Sequence, residues 1–199
     1  MKRILDFTLA LIGLFLSLPL WVLLGFFVWL DDLGLVFYGQ DRVGKDGRIF
    51  RSLKFRSLHN VEDQMRTTKL GRILRVSAID ELPQLWNILK GEMSFVGPRA
   101  LMLVEVDSNE KEPRGLWEFE GFAERCRVRP GLTGVAQVLV SRDIPRSEKM
   151  KYDLWYIRNQ SLRLDLRIMM LSLLISLKGA WEKKGDKLSR RILRDLAQT

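Results

Sequence analysis

The sequence predicts a mostly helical α+β fold in which an N-terminal membrane helix joins one compact domain. Two observations lead to this prediction. Residues 4–30 are apolar apart from three polar positions, and this run is long enough to enter a bilayer. The total of 199 residues suits one domain plus an appendage better than two full domains. We therefore divide the chain into a membrane helix, residues 1–33, and a domain, residues 34–199.

Composition narrows the classes of function. A formal net charge of +9 indicates an anionic partner, which could be nucleic acid, a phosphorylated substrate or a membrane leaflet. The charged fraction of 29% argues against a polytopic transporter. One cysteine, Cys126, excludes an internal disulfide, and one histidine, His59, excludes the usual zinc sites. The chemistry must therefore rest on carboxylates, arginine, lysine or a hard metal ion bound by oxygen.

The apolar run is interrupted by Pro19, which removes a backbone hydrogen bond. A cleaved signal peptide fits Lys2 and Arg3 at the start, but no small-residue cleavage site follows. A straight span would place either these charges or the basic residues of 42–56 on the outer side, against the positive-inside tendency. We therefore favour a re-entrant helix, broken at Pro19, over a span, with Ser17 bonding a freed carbonyl.

The domain begins with a predicted β-hairpin at residues 36–56, because Asp46-Gly47 is a strong turn signal between apolar stretches. Helical patterns follow further along the chain. We predict helices at 66–75, 80–90, 150–160 and 162–177. Between them we expect a turn at 95–99, a polar, exposed helix-and-loop region at 105–120, and a turn leading into a short strand within 128–140.

The amphipathic character of the C-terminal part leaves two questions open. Residues 162–177 are strongly apolar with charges only in the first half, which fits a core helix or a helix in the membrane interface equally well. Residues 183–194 are rich in lysine and arginine, and could contact anionic lipid or form a solvated face.

Asp80 and Glu81 open the predicted helix 80–90. Taken alone, the pair is as consistent with a helix cap as with a catalytic site. Several arginines lie near turns, and those of Gly97-Pro98-Arg99 and Arg129-Pro130-Gly131 stand on rigid corners suited to bidentate phosphate binding. Beside such arginines, one carboxylate can act as a nucleophile and the other can hold a divalent cation that bridges phosphates. Amides at the helix N-terminus would add to the anion site.

These residues stand in strings that resemble the bacterial sugar transferases, specifically the small monotopic phosphoglycosyl transferases. The resemblance covers almost the whole chain. It is carried by FYGQDRVGKDG (37–47), LKFRS (53–57), IDELPQLWNILKGEMSFVGPR (79–99), VRPGLTGVAQV (128–138) and YDLWYIRNQSLRLDLRI (152–168).

The resemblance implies a function for the acidic pair. Asp80 would attack the β-phosphate of a UDP-sugar and release UMP, and polyprenyl phosphate, here undecaprenyl phosphate, would then take the sugar phosphate from Asp80. Glu81 would help to hold Mg²⁺. The protein would lie on the cytoplasmic face of the bacterial inner membrane, in contact with phospholipid and without nucleic acid as a partner. The oligomeric state stays open.

The resemblance also implies which other side chains line the phosphate and nucleotide site. They are Arg99, Arg75, Lys54, Arg56, Arg129 and Gln137, with Asp153 as a further candidate that could instead be structural. Asp165 matches a family acid that we expect to be structural.

Three positions depart from the family pattern. Leu18, rather than serine, precedes Pro19. Ala100 replaces the second proline of Gly-Pro-Arg-Pro, which leaves Arg99 on a less restricted turn. Val135 replaces a tryptophan, with an effect on the pocket wall and donor preference or on local packing.

Two alternatives to this function stay open. In the first, the chain is a noncatalytic basic module of the membrane surface and the acidic pair is only a helix cap. In the second, the chemistry is the same but the donor differs, being either a hexose or an N-acetylated sugar. DNA binding is disfavoured because the arginines are scattered over turns and do not follow one recognition helix.

Overall fold

A computed structural model of the chain describes residues 1–61, 64–105, 114–140 and 144–177. The helices are α1 (Lys2–Asp32), α2 (Lys69–Ser77), α3 (Gln84–Lys90), α4 (Phe122–Arg125), α5 (Val135–Leu139), α6 (Arg146–Arg158) and α7 (Leu162–Leu177). The strands are β1 (Phe37–Val43), β2 (Ile49–Phe55), β3 (Leu58–Val61), β4 (Gln64–Thr67), β5 (Ser94–Val96), β6 (Val104–Glu105), β7 (Arg114–Gly115) and β8 (Gly131–Thr133). They pair as β1–β2, β3–β4, β5–β8 and β6–β7. The predicted α+β class, mostly helical with small sheets, is confirmed.

Helix α1 runs without interruption through Pro19 and ends at Asp32, followed by the capping residue Leu33, whose φ is 51°. The prediction that Pro19 breaks the helix into two halves is therefore wrong, because the backbone stays helical on both sides of Pro19 and at Pro19 itself. A proline removes one hydrogen bond, and neighbouring groups can satisfy the freed carbonyls of an apolar helix. The Ser17 hydroxyl donates to the carbonyl oxygen of Leu14 at 3.3 Å. The carbonyl that Pro19 frees is that of Phe15, so the predicted bond from Ser17 to a freed carbonyl is wrong. In the described part of the chain, α1 is the one helix long and apolar enough to cross a membrane, judged by length and composition.

The first turns of α1 are held on the domain by polar contacts. The Arg3 guanidinium donates to the carbonyl oxygens of Ile88 and Leu89, at 2.5 and 2.6 Å, where α3 ends. The buried Asp6 carboxylate accepts from the backbone N–H of Phe95 at 3.0 Å. These bonds fix the N-terminus of the apolar helix beside α3 and β5.

The second half of α1 packs against the same domain. Val28 is buried with Phe55 and Leu74, from β2 and α2. The Trp21 ring lies edge-on to the Phe55 ring, with 5.7 Å between the centroids. Both ends of the helix therefore contact one domain, while much of its remaining apolar surface is exposed.

The predicted hairpin is confirmed. Strands β1 and β2 pair antiparallel from Phe37 opposite Phe55 to Val43 opposite Ile49. Asp46 and Gly47 turn the chain with φ angles of 57° and 73°, values that Asp and Gly tolerate better than most residues.

The segment around Asp80 differs from the prediction. A 3₁₀ turn over Ile79–Glu81 precedes α3, which begins only at Gln84. Pro83 has no N–H to donate back to residue 79, so the chain closes with shorter bonds such as Leu82 N–H to the Ile79 carbonyl at 3.1 Å. Asp80 therefore lies four residues before the first residue of the α-helix, which is Gln84.

Helix α2 starts later than predicted, after Thr68, whose hydroxyl accepts from the Gly71 N–H at 2.7 Å. The short strand predicted within 128–140 is confirmed as β8. Helix α5, which follows Gly134, was not predicted from the sequence. Helix α6 ends before the predicted boundary at 160 and starts earlier.

Helix α7 has the predicted bounds. Leu164 and Ile168 are buried, whereas Met170, Leu173 and Leu177 are exposed, so one face joins the core and another presents apolar side chains to the surroundings. Parts of the region 105–120, and all of 183–194, lie outside the described residues.

Candidate active site

An open pocket lies where the β1–β2 hairpin meets the Asp80 turn and the ends of β5 and β8. Its wall is mostly polar. The lining residues are Arg42, Ser52, Lys54, Glu81, Gln84, Arg99, Ala100, Gly131, Leu132 and Gln137. The pocket contains three cations and one carboxylate, which leaves two net positive charges for an anionic ligand.

The hairpin register explains how two of these cations come together. Tyr38 stands opposite Lys54 and Arg42 stands opposite Phe50, so Arg42 and Lys54 occupy the same face of the ribbon. Sequence reasoning missed Arg42 as a site residue. The signal was present in the predicted hairpin, because the Asp46-Gly47 turn fixes which side chains share a face.

Lys54 connects the pocket to the acidic pair. Its Nζ lies 2.5 Å from Glu81 Oε1 and 3.8 Å from Asp80 Oδ2. Glu81 is on the pocket wall, whereas Asp80 is 6% exposed and sits directly behind it. The residue before the turn, Ala78, has a φ of 58°, a conformation that costs a non-glycine residue about 1 kcal/mol and is found at constrained functional sites.

The two carboxyl groups have different acidities. Burial, together with the charge of Glu81, raises the pKa of Asp80 to about 6, against the opposing effects of Lys54 and Arg75. Burial also raises the pKa of Glu81, but the positive charges of Lys54, Arg99 and Arg42 outweigh burial and hold this pKa below its usual value. Neighbouring carboxyl groups with separated pKa values suit different chemical roles.

The structure brings most of the predicted residues together. Lys54, Glu81, Arg99 and Gln137 line the pocket, and Asp80 is adjacent. Arg75 lies close enough to lower the pKa of Asp80, and its Nη1 is 3.5 Å from Thr67 Oγ1.

Three predicted residues lie elsewhere. Arg56 packs its guanidinium against Gly34, where a Cβ would collide with it. Arg129 Nε donates to the Gly91 carbonyl at 2.7 Å, which stabilises the end of α3. Asp153 is buried and paired with Arg125, away from the pocket wall.

Glycines allow the turns that carry Arg99 and Gly131 to touch. Gly97 N–H donates to the Thr133 carbonyl at 2.9 Å, and Gly131 N–H donates to the Pro98 carbonyl at 2.8 Å. A Cβ on Gly97 would stand 2.5 Å from the Arg129 carbonyl oxygen. This close backbone approach places Arg99 at the pocket.

The residues present fit Mg²⁺ bound together with a phosphorylated ligand. Within the described ranges, no group of three or more His, Cys, Asp and Glu side chains could hold a metal ion. Magnesium does not need such a group, because it binds through one or two carboxylates plus phosphate oxygens and water. Glu81, on the pocket wall, supplies a hard oxygen donor.

Comparison with known proteins identifies the family. The model of the family described as "Bacterial sugar transferase" matches residues 1–179. The chain therefore belongs to the bacterial sugar transferase family.

Three relatives carry names that specify different sugars. The UDP-galactose-lipid carrier transferase of Erwinia amylovora is 34% identical, over 89% of this chain and 40% of that protein. The UDP-N-acetylgalactosamine-undecaprenyl-phosphate N-acetylgalactosaminephosphotransferase of Aeromonas hydrophila is 36% identical, over 89% of this chain and 44% of that protein. The UDP-glucose:undecaprenyl-phosphate glucose-1-phosphate transferase of Klebsiella pneumoniae is 36% identical, over 86% of this chain and 39% of that protein. The chain thus spans less than half the length of these relatives.

Proposed function

We propose that the protein transfers a sugar 1-phosphate from a UDP-sugar to a polyprenyl phosphate, undecaprenyl phosphate, and releases UMP. The observation that carries the proposal is the buried Asp80 carboxylate, linked through Lys54 to Glu81 at the edge of a cationic pocket. The names of the relatives supply the reaction class. The excess of positive charge on the pocket wall suits the negatively charged diphosphate of a nucleoside diphosphate sugar.

In the first step, a carboxylate oxygen of Asp80 attacks the β-phosphorus of the donor. The bond between this phosphorus and the bridging oxygen breaks, its electron pair stays on UMP, and the sugar phosphate becomes bonded to Asp80. A pKa of about 6 keeps Asp80 ionised at pH 7 in a ratio of about ten to one, while its basicity exceeds that of an ordinary aspartate. Lys54 holds the carboxylate in place and offsets charge on the reacting phosphoryl group.

In the second step, a phosphate oxygen of the polyprenyl phosphate attacks the same phosphorus. The bond to Asp80 breaks and the carboxylate is regenerated, so the enzyme returns to its starting state with a polyprenyl diphosphate sugar as product. Arg42 and Arg99 stabilise the phosphate charges in both steps because they line the pocket. Mg²⁺, held by Glu81 and the substrate phosphates, would supply further neutralisation of phosphate charge.

We propose further that α1 is bent at Pro19 without a break in its helical backbone, and so enters and leaves the cytoplasmic leaflet of the inner membrane without crossing it. A span would carry one end of the helix to the far side, but Arg3 and Val28 both contact the same domain. The acceptor could then keep its tail in lipid while its phosphate meets a water-soluble donor. With Cys126→Ser as the background, single cysteines introduced as Ile4→Cys or Leu35→Cys, both at exposed positions, should react with an impermeant reagent from the cytoplasmic side alone. Labelling from opposite sides would contradict this placement.

The test of the activity is UMP release by the purified chain with undecaprenyl phosphate, Mg²⁺ and a panel of UDP-sugars. The panel contains UDP-glucose, UDP-galactose and their N-acetylated counterparts, because the donor could be a hexose or an N-acetylated sugar. We expect turnover with at least one donor, its loss in Asp80→Asn, and its retention in Asp41→Asn, which changes an exposed aspartate of β1 in the same way. Absence of UMP release with every donor would favour the noncatalytic membrane-surface module.

A further inference from the structure

A buried ion pair lies behind the pocket and has no part in the chemistry described above. Arg125 Nε donates to Asp153 Oδ2 at 3.0 Å, and the two side chains are 3% and 5% exposed. The pair joins α4 to α6. Neither residue is on the pocket wall.

Stability alone does not account for this pair. Burying two charges carries a desolvation penalty that often equals or exceeds their attraction, and apolar residues of similar volume are frequently as stable. The same two helices are already joined at the surface, where Arg158 Nε and Nη2 donate to the two oxygens of the Glu124 carboxylate, each at 2.9 Å. The buried arginine therefore calls for a second explanation.

That explanation is a second bond from the same guanidinium. Arg125 Nη2 donates to the backbone carbonyl oxygen of Arg99. On the next residue, the Ala100 carbonyl accepts from Arg42 Nη1 at 3.2 Å. Two consecutive carbonyls of this turn are thus held by guanidinium groups, in a chain where alanine rather than proline follows Arg99.

Holding this carbonyl affects where the Arg99 side chain lies. A bond to the Arg99 carbonyl fixes the orientation of the peptide plane after Arg99 and therefore the ψ angle of Arg99. Because the side chain is long, a small change of orientation at its Cα moves the guanidinium by a larger distance. Arg99 lines the pocket and acts electrostatically on Glu81. Asp153 fixes Arg125, and Arg125 fixes the turn.

We propose that Arg125, oriented by Asp153, is a positioning residue that holds the Arg99 guanidinium where it binds the diphosphate of the donor. This proposal rests on the proposed function and reassigns Asp153 from substrate binding to support. It adds Arg125 as a residue on which donor affinity depends.

The variant that isolates this role is Arg125→Lys, measured in the full-length protein in detergent. Lysine keeps a cation beside Asp153, but its single ammonium group cannot reproduce the fixed fork that also reaches the Arg99 carbonyl. We expect UDP to bind about tenfold more weakly, and KM for the UDP-sugar to rise about tenfold with a smaller change in kcat. The matched control is Arg158→Lys, which changes the surface pair of the same helices and should alter UDP affinity less than about twofold.

A double-mutant cycle separates positioning from loss of structure. Arg99→Ala removes the guanidinium but keeps the carbonyl that Arg125 bonds. If Arg125 acts through the Arg99 side chain, Arg125→Lys should weaken UDP binding about tenfold in the unchanged protein and less than about twofold in the Arg99→Ala background. An equal loss in both backgrounds would overturn the proposal. If Arg125→Lys folds poorly, the same cycle is measured with Arg125→Gln, which leaves in place the Asp153 carboxylate, because its charge also acts directly on Arg99.

The two proposals fail differently. If UDP binds and Arg125 and Arg99 are coupled as expected, but no UMP is released, the proposed transfer reaction is overturned and the role of Arg125 is supported. Turnover of a UDP-sugar with no coupling between Arg125 and Arg99 would remove the role of Arg125 alone. No UDP binding by the unchanged protein would overturn the role of Arg125 as well.

Discussion

The attachment of α1 to the domain can be tested at Lys2. Its Nζ lies 2.6 Å from Asp165 Oδ2, and the Asp165 side chain is 4% exposed. Tyr156 donates to the other oxygen of this carboxylate at 2.6 Å. Lys2→Ala would leave the buried carboxylate with the tyrosine hydroxyl but without its cation.

Removing one partner of a buried pair costs about 3–5 kcal/mol. Because the Lys2 side chain is 29% exposed, water replaces part of the lost interaction, and we expect about 2–3 kcal/mol. For a protein of this size, that loss lowers Tm by about 5–10 °C. The measurement is thermal unfolding of the detergent-solubilised protein followed by intrinsic tryptophan fluorescence.

The control is Lys90→Ala, which breaks the pair between Lys90 and Glu92 at 2.5 Å, where the lysine side chain is 51% exposed. This change should lower Tm by less than about 2 °C. The double variant Lys2→Met with Asp165→Leu should recover much of the loss, since Tyr156 keeps the Val96 carbonyl as a partner at 3.2 Å. Equal Tm values for Lys2→Ala and Lys90→Ala would refute the reasoning.

Two further predictions concern the pocket. Gly97→Ala should destabilise the protein by about 2 kcal/mol or more and abolish UMP release, because its Cβ would stand 2.5 Å from a carbonyl oxygen; Gly25→Ala, whose nearest contact is 3.4 Å, should be harmless in the same unfolding and activity assays. Arg42→Gln should raise KM for the donor about tenfold and lower Tm by no more than about 4 °C, the loss expected for its bond to the Ala100 carbonyl, whereas Arg48→Gln, at an exposed position of the hairpin turn, should leave KM as it is. A Tm loss without a KM change in Arg42→Gln would give that arginine a structural role only.

The sequence predicts well where local chemistry dominates. The hairpin follows from Asp46-Gly47, and α7 follows from a long apolar pattern with matching bounds. The Asp80 segment differs because Pro83, which is common in the first turn of a helix, lacks the N–H that an α-helix starting at Asp80 would bond to residue 79. The helix after Gly134 is only five residues long, too short to leave a periodic signal.

The distribution of arginines depends on tertiary contacts. Arg129 and Arg99 stand on similar turns in the sequence, yet one bonds the Gly91 carbonyl and the other lines the pocket. Asp153 lies far along the chain from Arg99, and the buried guanidinium that connects them appears only once α4 packs on α6. Side-chain partners of this kind depend on distant segments and leave no mark in local composition.

The most direct test of the account is capture of the intermediate on Asp80. The protein is mixed with its UDP-sugar donor in the absence of polyprenyl phosphate, quenched rapidly in acid, digested and analysed by mass spectrometry. We expect the peptide containing Asp80 to gain the mass of one sugar-phosphoryl group, with UMP released in equal amount, and to lose this mass when polyprenyl phosphate is added before the quench. Turnover by Asp80→Asn, or the adduct on a different residue, would contradict the assignment of Asp80 as the nucleophile.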